Sequence, residues 1–63
     1  MAAAYVRIRC ERGTIRTYGG NRSDVKGMMN RYKKMTLGEF MFKHPYLTSN
    51  DYNTLTYEYV NKS

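Results

Sequence analysis

Hydrophobic and polar residues alternate along residues 5–11, Tyr-Val-Arg-Ile-Arg-Cys-Glu. Val6, Ile8 and Cys10 fall on one side and Arg7, Arg9 and Glu11 on the other. A period of two is that of a strand with one buried face. Residues 14–18, Thr-Ile-Arg-Thr-Tyr, read as a second short strand, ended by Gly19-Gly20-Asn21. Arg12-Gly13 between them predicts a tight turn, with Gly13 taking the positive φ that a β-carbon resists. A two-residue loop at Arg12-Gly13 would set Cys10 opposite Ile15, Arg9 opposite Arg16, Ile8 opposite Thr17 and Arg7 opposite Tyr18. The apolar face is then Val6, Ile8, Cys10 and Ile15, and the polar face Arg7, Arg9, Arg16 and Tyr18. Opposed like charges destabilise a sheet. The Arg9–Arg16 pair therefore calls for a bound anion or for a longer loop with a shifted register.

The period then changes. Val25, Met28, Met29 and Tyr32 stand at i, i+3, i+4 and i+7, an amphipathic helical stripe. Ser23 is placed to cap a helix over 24–34, Asp24 suits its first turn, and Lys33 and Lys34 suit its last. Gly27 weakens it slightly. Thr36-Leu37-Gly38-Glu39 matches a capping box and predicts a helix over 37–43 that turns Leu37, Phe40 and Met41 inward before Pro45 ends it. Thr48-Ser49-Asn50-Asp51 resembles another helix start, and Tyr52, Leu55, Tyr59 and Val60 then share a helical face. This favours a third helix over 50–61. The same stretch is rich in β-formers, and Leu55, Tyr57 and Tyr59 alternate, so a third strand beside the hairpin is the alternative. The fold class is α+β: an N-terminal β-hairpin over about 5–18 packed against two or three short helices, or a ββα unit with a C-terminal third strand. The expected core is Val6, Ile8, Ile15, Val25, Met29, Tyr32, Phe40 and Leu55.

Length changes the picture next. Sixty-three residues make a single small basic domain, 1–63, and a domain of this size buries only about 60% of the surface its unfolded chain exposes. Cys10 is the only cysteine, so no internal disulfide can supplement the core. Cys10 and His44 do not make the four soft ligands of a structural zinc site, and neither metal nor cofactor is expected. A partner or a second copy of the chain remains as the supplement. No signal peptide is recognisable, and no apolar run approaches the ~18 residues of a membrane span. These features, with the single cysteine, point to a reducing, cytoplasmic setting without a membrane.

Candidate chemistry is sparse. One histidine, one cysteine and five carboxylates do not supply the cooperating groups of an acid–base or nucleophilic site. The reading is therefore non-enzymatic, with no small-molecule substrate. Cys10 reads as a small buried hydrophobe and His44 as a packing histidine.

The charge is more informative. The net charge is +6, and residues 1–34 hold nine cations against two carboxylates, a net +7, whereas residues 35–63 net −1. All six arginines lie in the basic half, and guanidinium suits phosphate or carboxylate. Arg7, Arg9, Arg16 and Tyr18, extended by Arg22, Lys26, Lys33 and Lys34, are the candidate surface for nucleic acid or an acidic partner. Tyr46 and Tyr57, in the tyrosine-rich tail, are the candidate protein-interface residues. A nucleic-acid-binding accessory or regulatory protein is the leading expectation. A phage-type inhibitor or adaptor that docks on an acidic surface of a larger protein is the alternative.

Overall fold

The computed structural model describes residues 3–62. Two strands, β1 (Ala4–Cys10) and β2 (Gly13–Gly20), are followed by three helices, α1 (Arg22–Lys33), α2 (Leu37–Lys43) and α3 (Ser49–Asn53), and a last strand, β3 (Thr56–Asn61). The strands form one antiparallel sheet in the order β2-β1-β3. The alternating strand β1 is thus the central one, and its inward residues Ala4, Val6 and Ile8 are completely buried. Three antiparallel strands and three helices make the chain an α+β protein.

The hairpin register differs from the one a loop at Arg12-Gly13 would give. The loop is Glu11-Arg12, and Cys10 pairs with Gly13, whose φ of 122° only glycine adopts readily. Arg9 pairs with Thr14 and Ile8 with Arg16, so the ladder slips by one residue at Ile15. This bulge turns Ile15 and Arg16 toward the helices together, and both are half-buried. The Arg9–Arg16 opposition is absent, and with it the need for an anion to relieve it. The register is shifted, but not by a longer loop: the loop keeps two residues, and its displacement to Glu11-Arg12 and the bulge at Ile15 remove the clash.

α1 starts earlier than Ser23 would place it. Asn21 is the cap, accepting from the Asp24 N–H at 2.8 Å. α2 has the full capping box between Thr36 and Glu39. Thr48 and Asp51 form a second box, but the helix they start lasts only five residues. Residues 56–61 take the strand alternative: β3 pairs with β1 through Val6↔Tyr59 and Ile8↔Tyr57. β-branched and aromatic residues dominate this tail, and β1 offers a long open edge.

The helices cover one face of the sheet. Val25 and Tyr32 of α1, Phe40 of α2 and Met35 between them close the core over Ala4, Val6 and Ile8. Ile15, Met29 and Leu55 pack against this cluster without being fully buried. Leu37 and Met41 do not turn inward as expected: they are exposed, and α2 presents only Phe40 to the core. A helix of two turns on a small sheet has room for one buried ring, here tilted against His44 and Tyr52 with centroids 5.2 and 5.4 Å away.

Candidate nucleic-acid and partner surfaces

The sheet face opposite the helices is bare. Antiparallel pairing puts directly opposed residues on the same side, so Tyr5, Arg7 and Arg9 share this face with Thr14 and Thr17 of β2 and Thr56, Glu58 and Val60 of β3. Arg7 donates to Glu58 across the sheet at 3.0 Å. The Arg7 guanidinium and the Lys62 ammonium lie 5.6 and 5.5 Å from the centre of the Tyr5 ring. Arg9 stands exposed between Thr14 and Thr56, with no carboxylate partner among the described residues. Three strands at the usual spacing give a face about 10 Å wide, lined by hydroxyl, guanidinium and ammonium donors.

Arg16 and Tyr18 do not belong to it. The bulge places both on the helix side, where the guanidinium sits 5.9 Å from the Tyr18 ring centre. There Arg16 acts on His44. Burial, then the charges of Lys43 and Arg16, hold the His44 pKa below its ordinary 6.5. The His44 Nε2 shares a 2.8 Å hydrogen bond with the hydroxyl of the buried Tyr32. His44 is thus a packing residue of the α2 terminus.

Arg22, Lys26 and Lys33 on α1 and Lys34 at its C-cap are exposed, in the helical layer. The ammonium groups of Lys26 and Lys33 lie 5.8 and 5.5 Å from the ring centres of Tyr59 and Tyr57. The eight candidate anion-binding residues therefore divide between the two sides of the sheet: Arg7 and Arg9 on the bare face, the other six among the helices. Tyr57 also departs from the expectation of an exposed anchor. It points inward from β3, packs on the core, and burial pushes its phenol pKa up. Tyr46, in contrast, is 90% exposed.

Sequence patterning passed over Tyr5 and Lys62, which the fold brings beside Arg7, and it passed over Phe42. Phe42 is 89% exposed, although a phenylalanine two positions from a buried one reads as core filler. A helical wheel carries the only signal: Phe42 lies about 160° from Phe40 and cannot face the same way.

The hairpin tip is held by α3. Asp51, 3% exposed, accepts from the Thr48 N–H at 2.9 Å, the Thr48 hydroxyl at 3.2 Å and the Arg12 Nε at 3.3 Å. The Cys10 thiol reaches its other oxygen at 3.7 Å. The Thr48 N–H foremost, then its hydroxyl and Arg12, hold the Asp51 pKa below 3.8 against the opposing effect of burial. Asn50 donates to the Glu11 carboxylate, and the Glu11 N–H donates to Thr54 at 3.0 Å. Beside this latch an open groove of about 420 Å³ runs between Arg12, Ile15 and the segment Lys43–Leu47.

Among the described residues, no three His, Cys, Asp or Glu side chains cluster as metal ligands. No described helix is long and apolar enough to cross a membrane. Compared with protein-family models, characterised proteins and solved structures, the chain matches none of them.

Proposed function

We propose that the chain is a small non-enzymatic nucleic-acid-binding protein that engages the polyanion with its bare sheet face. The observation that carries this reading is the pair Arg7 and Arg9, two apart on the central strand of an uncovered sheet, with Lys62 and Tyr5 beside them. The face is the wrong chemistry for an apolar partner: among the described residues paired across it, Val60 alone has an aliphatic side chain. Two adjacent strands of this face make a ribbon of the kind that enters a major groove about 12 Å across. Arg9 and Lys62 serve as phosphate contacts. The Arg7–Glu58 pair is exposed and worth little, so Arg7 can exchange that carboxylate for a phosphate, and the threonines supply short donors and acceptors at the surface. The α1 cations lie in the other layer and contribute long-range attraction.

The test is fluorescence anisotropy on single- and double-stranded DNA and RNA oligonucleotides over a salt series. Binding should weaken linearly in log–log form with salt, and Arg9→Glu should cost about tenfold or more in affinity. Arg9 faces threonines on both sides, so its reversal should leave the melting temperature unchanged. Absence of binding to every oligonucleotide at low salt, or binding indifferent to Arg9→Glu, would overturn the reading.

A further inference from the structure

Every exposed large hydrophobic side chain of the described residues lies within ten positions: Leu37, Met41, Phe42 and Tyr46. Scattered singly, such residues need no explanation. Grouped on one element of a small basic chain they form a patch, and patches mark contacts. On a helix at about 100° per residue, Leu37, Met41, Gly38 and Phe42 follow one another over an arc of about 140°, away from the buried Phe40. Gly38 occupies the middle of this arc. A β-carbon there would meet nothing in the chain closer than the Thr36 hydroxyl at 4.0 Å, so a partner's backbone can approach closely. Tyr46 lies just beyond the helix and lines, with Ile15, Leu47 and the α2 end Lys43-His44, an open groove.

The charge around the groove identifies what enters it. Arg12 and Lys43 edge the groove, and Arg16 lies close enough to His44 to depress its pKa. The carboxylates nearby are already engaged: Glu39 in the α2 capping box and Asp51 by Thr48 and Arg12. A second copy of the chain would bring the same cations against these, on top of a net charge of +6. An acidic surface is complementary. We propose that the exposed face of α2 and the adjoining groove dock an acidic protein segment carrying an apolar side chain. Its apolar residue enters the groove between Ile15 and Leu47, Phe42 and Tyr46 cover it, and its carboxylates meet Lys43 and the outer nitrogens of Arg12. Only the Nε of Arg12 is engaged with Asp51, which leaves its terminal nitrogens for a bidentate contact. Thr14, at the rim, is the one residue the groove shares with the bare sheet face.

The experiment uses the full chain and three displayed random-peptide pools: Asp/Glu with Leu, Ile, Phe and Trp; Lys/Arg with the same apolar residues; and Asp/Glu with Ser and Gly only. Enrichment from the first pool alone is expected. Titration of the selected peptides should weaken roughly 10- to 100-fold with Phe42→Ala, as for an interface anchor, and similarly with Gly38→Glu, which adds bulk and negative charge where the chain has open space. Both variants leave the core untouched and should keep the wild-type melting temperature; Gly38→Glu decides the matter if Phe42→Ala does not fold. Arg9→Glu should bind the peptides as wild type does. Enrichment from the acidic pool without apolar residues, no enrichment at all, or indifference to Gly38→Glu would overturn the proposal. So would a concentration-dependent dimer in sedimentation that Phe42→Ala abolishes, since the patch would then be a self-interface.

Discussion

Two tyrosines separate packing from surface at the level of single residues. Tyr57 reaches inward from β3 against the core, whereas Tyr46 is 90% exposed. Tyr57→Ala should therefore lower stability by about 1–3 kcal/mol, and Tyr46→Ala should leave it within about 0.5 kcal/mol; thermal denaturation of the two variants side by side checks this. An equal loss in both would place Tyr46 in the core as well. His44 gives a second residue-level expectation. Its folded pKa lies below 6.5 through burial, Lys43 and Arg16, so the unfolded chain takes up a proton first. The contribution of neutral His44 is complete above pH 6.5 and is lost as pH falls from there through the lower folded value. Tm should drop between about pH 7.5 and about pH 5, and His44→Gln, which cannot charge, should flatten that part of the profile.

The elements show how much of the fold was legible and where legibility stopped. Gly27, in the middle of α1, has open space where a β-carbon would go, so Gly27→Ala should stabilise the chain by about 0.5–1 kcal/mol, measured by denaturant titration. Periodicity alone located this helix, because Val25 and Tyr32 both reach the core. The capping box at Thr36 was equally legible, and Thr48 was legible as a helix start, since each rests on a side chain three residues from its partner backbone group. Length was not. The helix begun at Thr48 ends at Asn53, because β1 has an open edge that Thr56–Asn61 can pair with, and no local pattern reports a free edge elsewhere in the chain. The same limit hid the bulge at Ile15, which moved Arg16 and Tyr18 off the candidate surface while leaving Arg7 and Arg9 in place. Asp51 shows an element's start bonded into a tertiary latch. Its folded pKa is depressed by Thr48 and Arg12, so its stabilisation is present above pH 3.8 and lost as pH falls through the folded value. Asp51→Asn should lower Tm near neutrality and remove part of the acid-induced loss; an unchanged acid limb would mean the latch is not what fails there.

At the scale of the whole molecule the sequence divides into a basic half and a near-neutral half, but the fold does not keep them apart. β3 pairs with β1, joining Glu58 to Arg7, and α3 clasps the hairpin tip, joining Asp51 to Arg12. The division that survives is between the two sides of the sheet. Arg7, Arg9 and Lys62 belong to the bare side, and Phe42, Tyr46 and Lys43 to the helical side. The molecule is only 35 × 19 × 15 Å, so two ligands can avoid each other only if they approach from opposite faces. This geometry gives the two proposed surfaces a joint consequence. A chain saturated with a labelled oligonucleotide should still bind the selected acidic, apolar-bearing peptide, with the oligonucleotide's anisotropy held or raised as the complex grows. Some mutual attraction to the cationic field is shared, so adding peptide at low salt should loosen the oligonucleotide slightly, and that loss should fade as salt screens charges separated by more than a Debye length of about 8 Å. Direct contact competition behaves differently, because it persists at every salt concentration that permits binding. Complete displacement of the oligonucleotide at moderate salt, lost in Phe42→Ala, would put both ligands on the helical side and remove the bare sheet from the account.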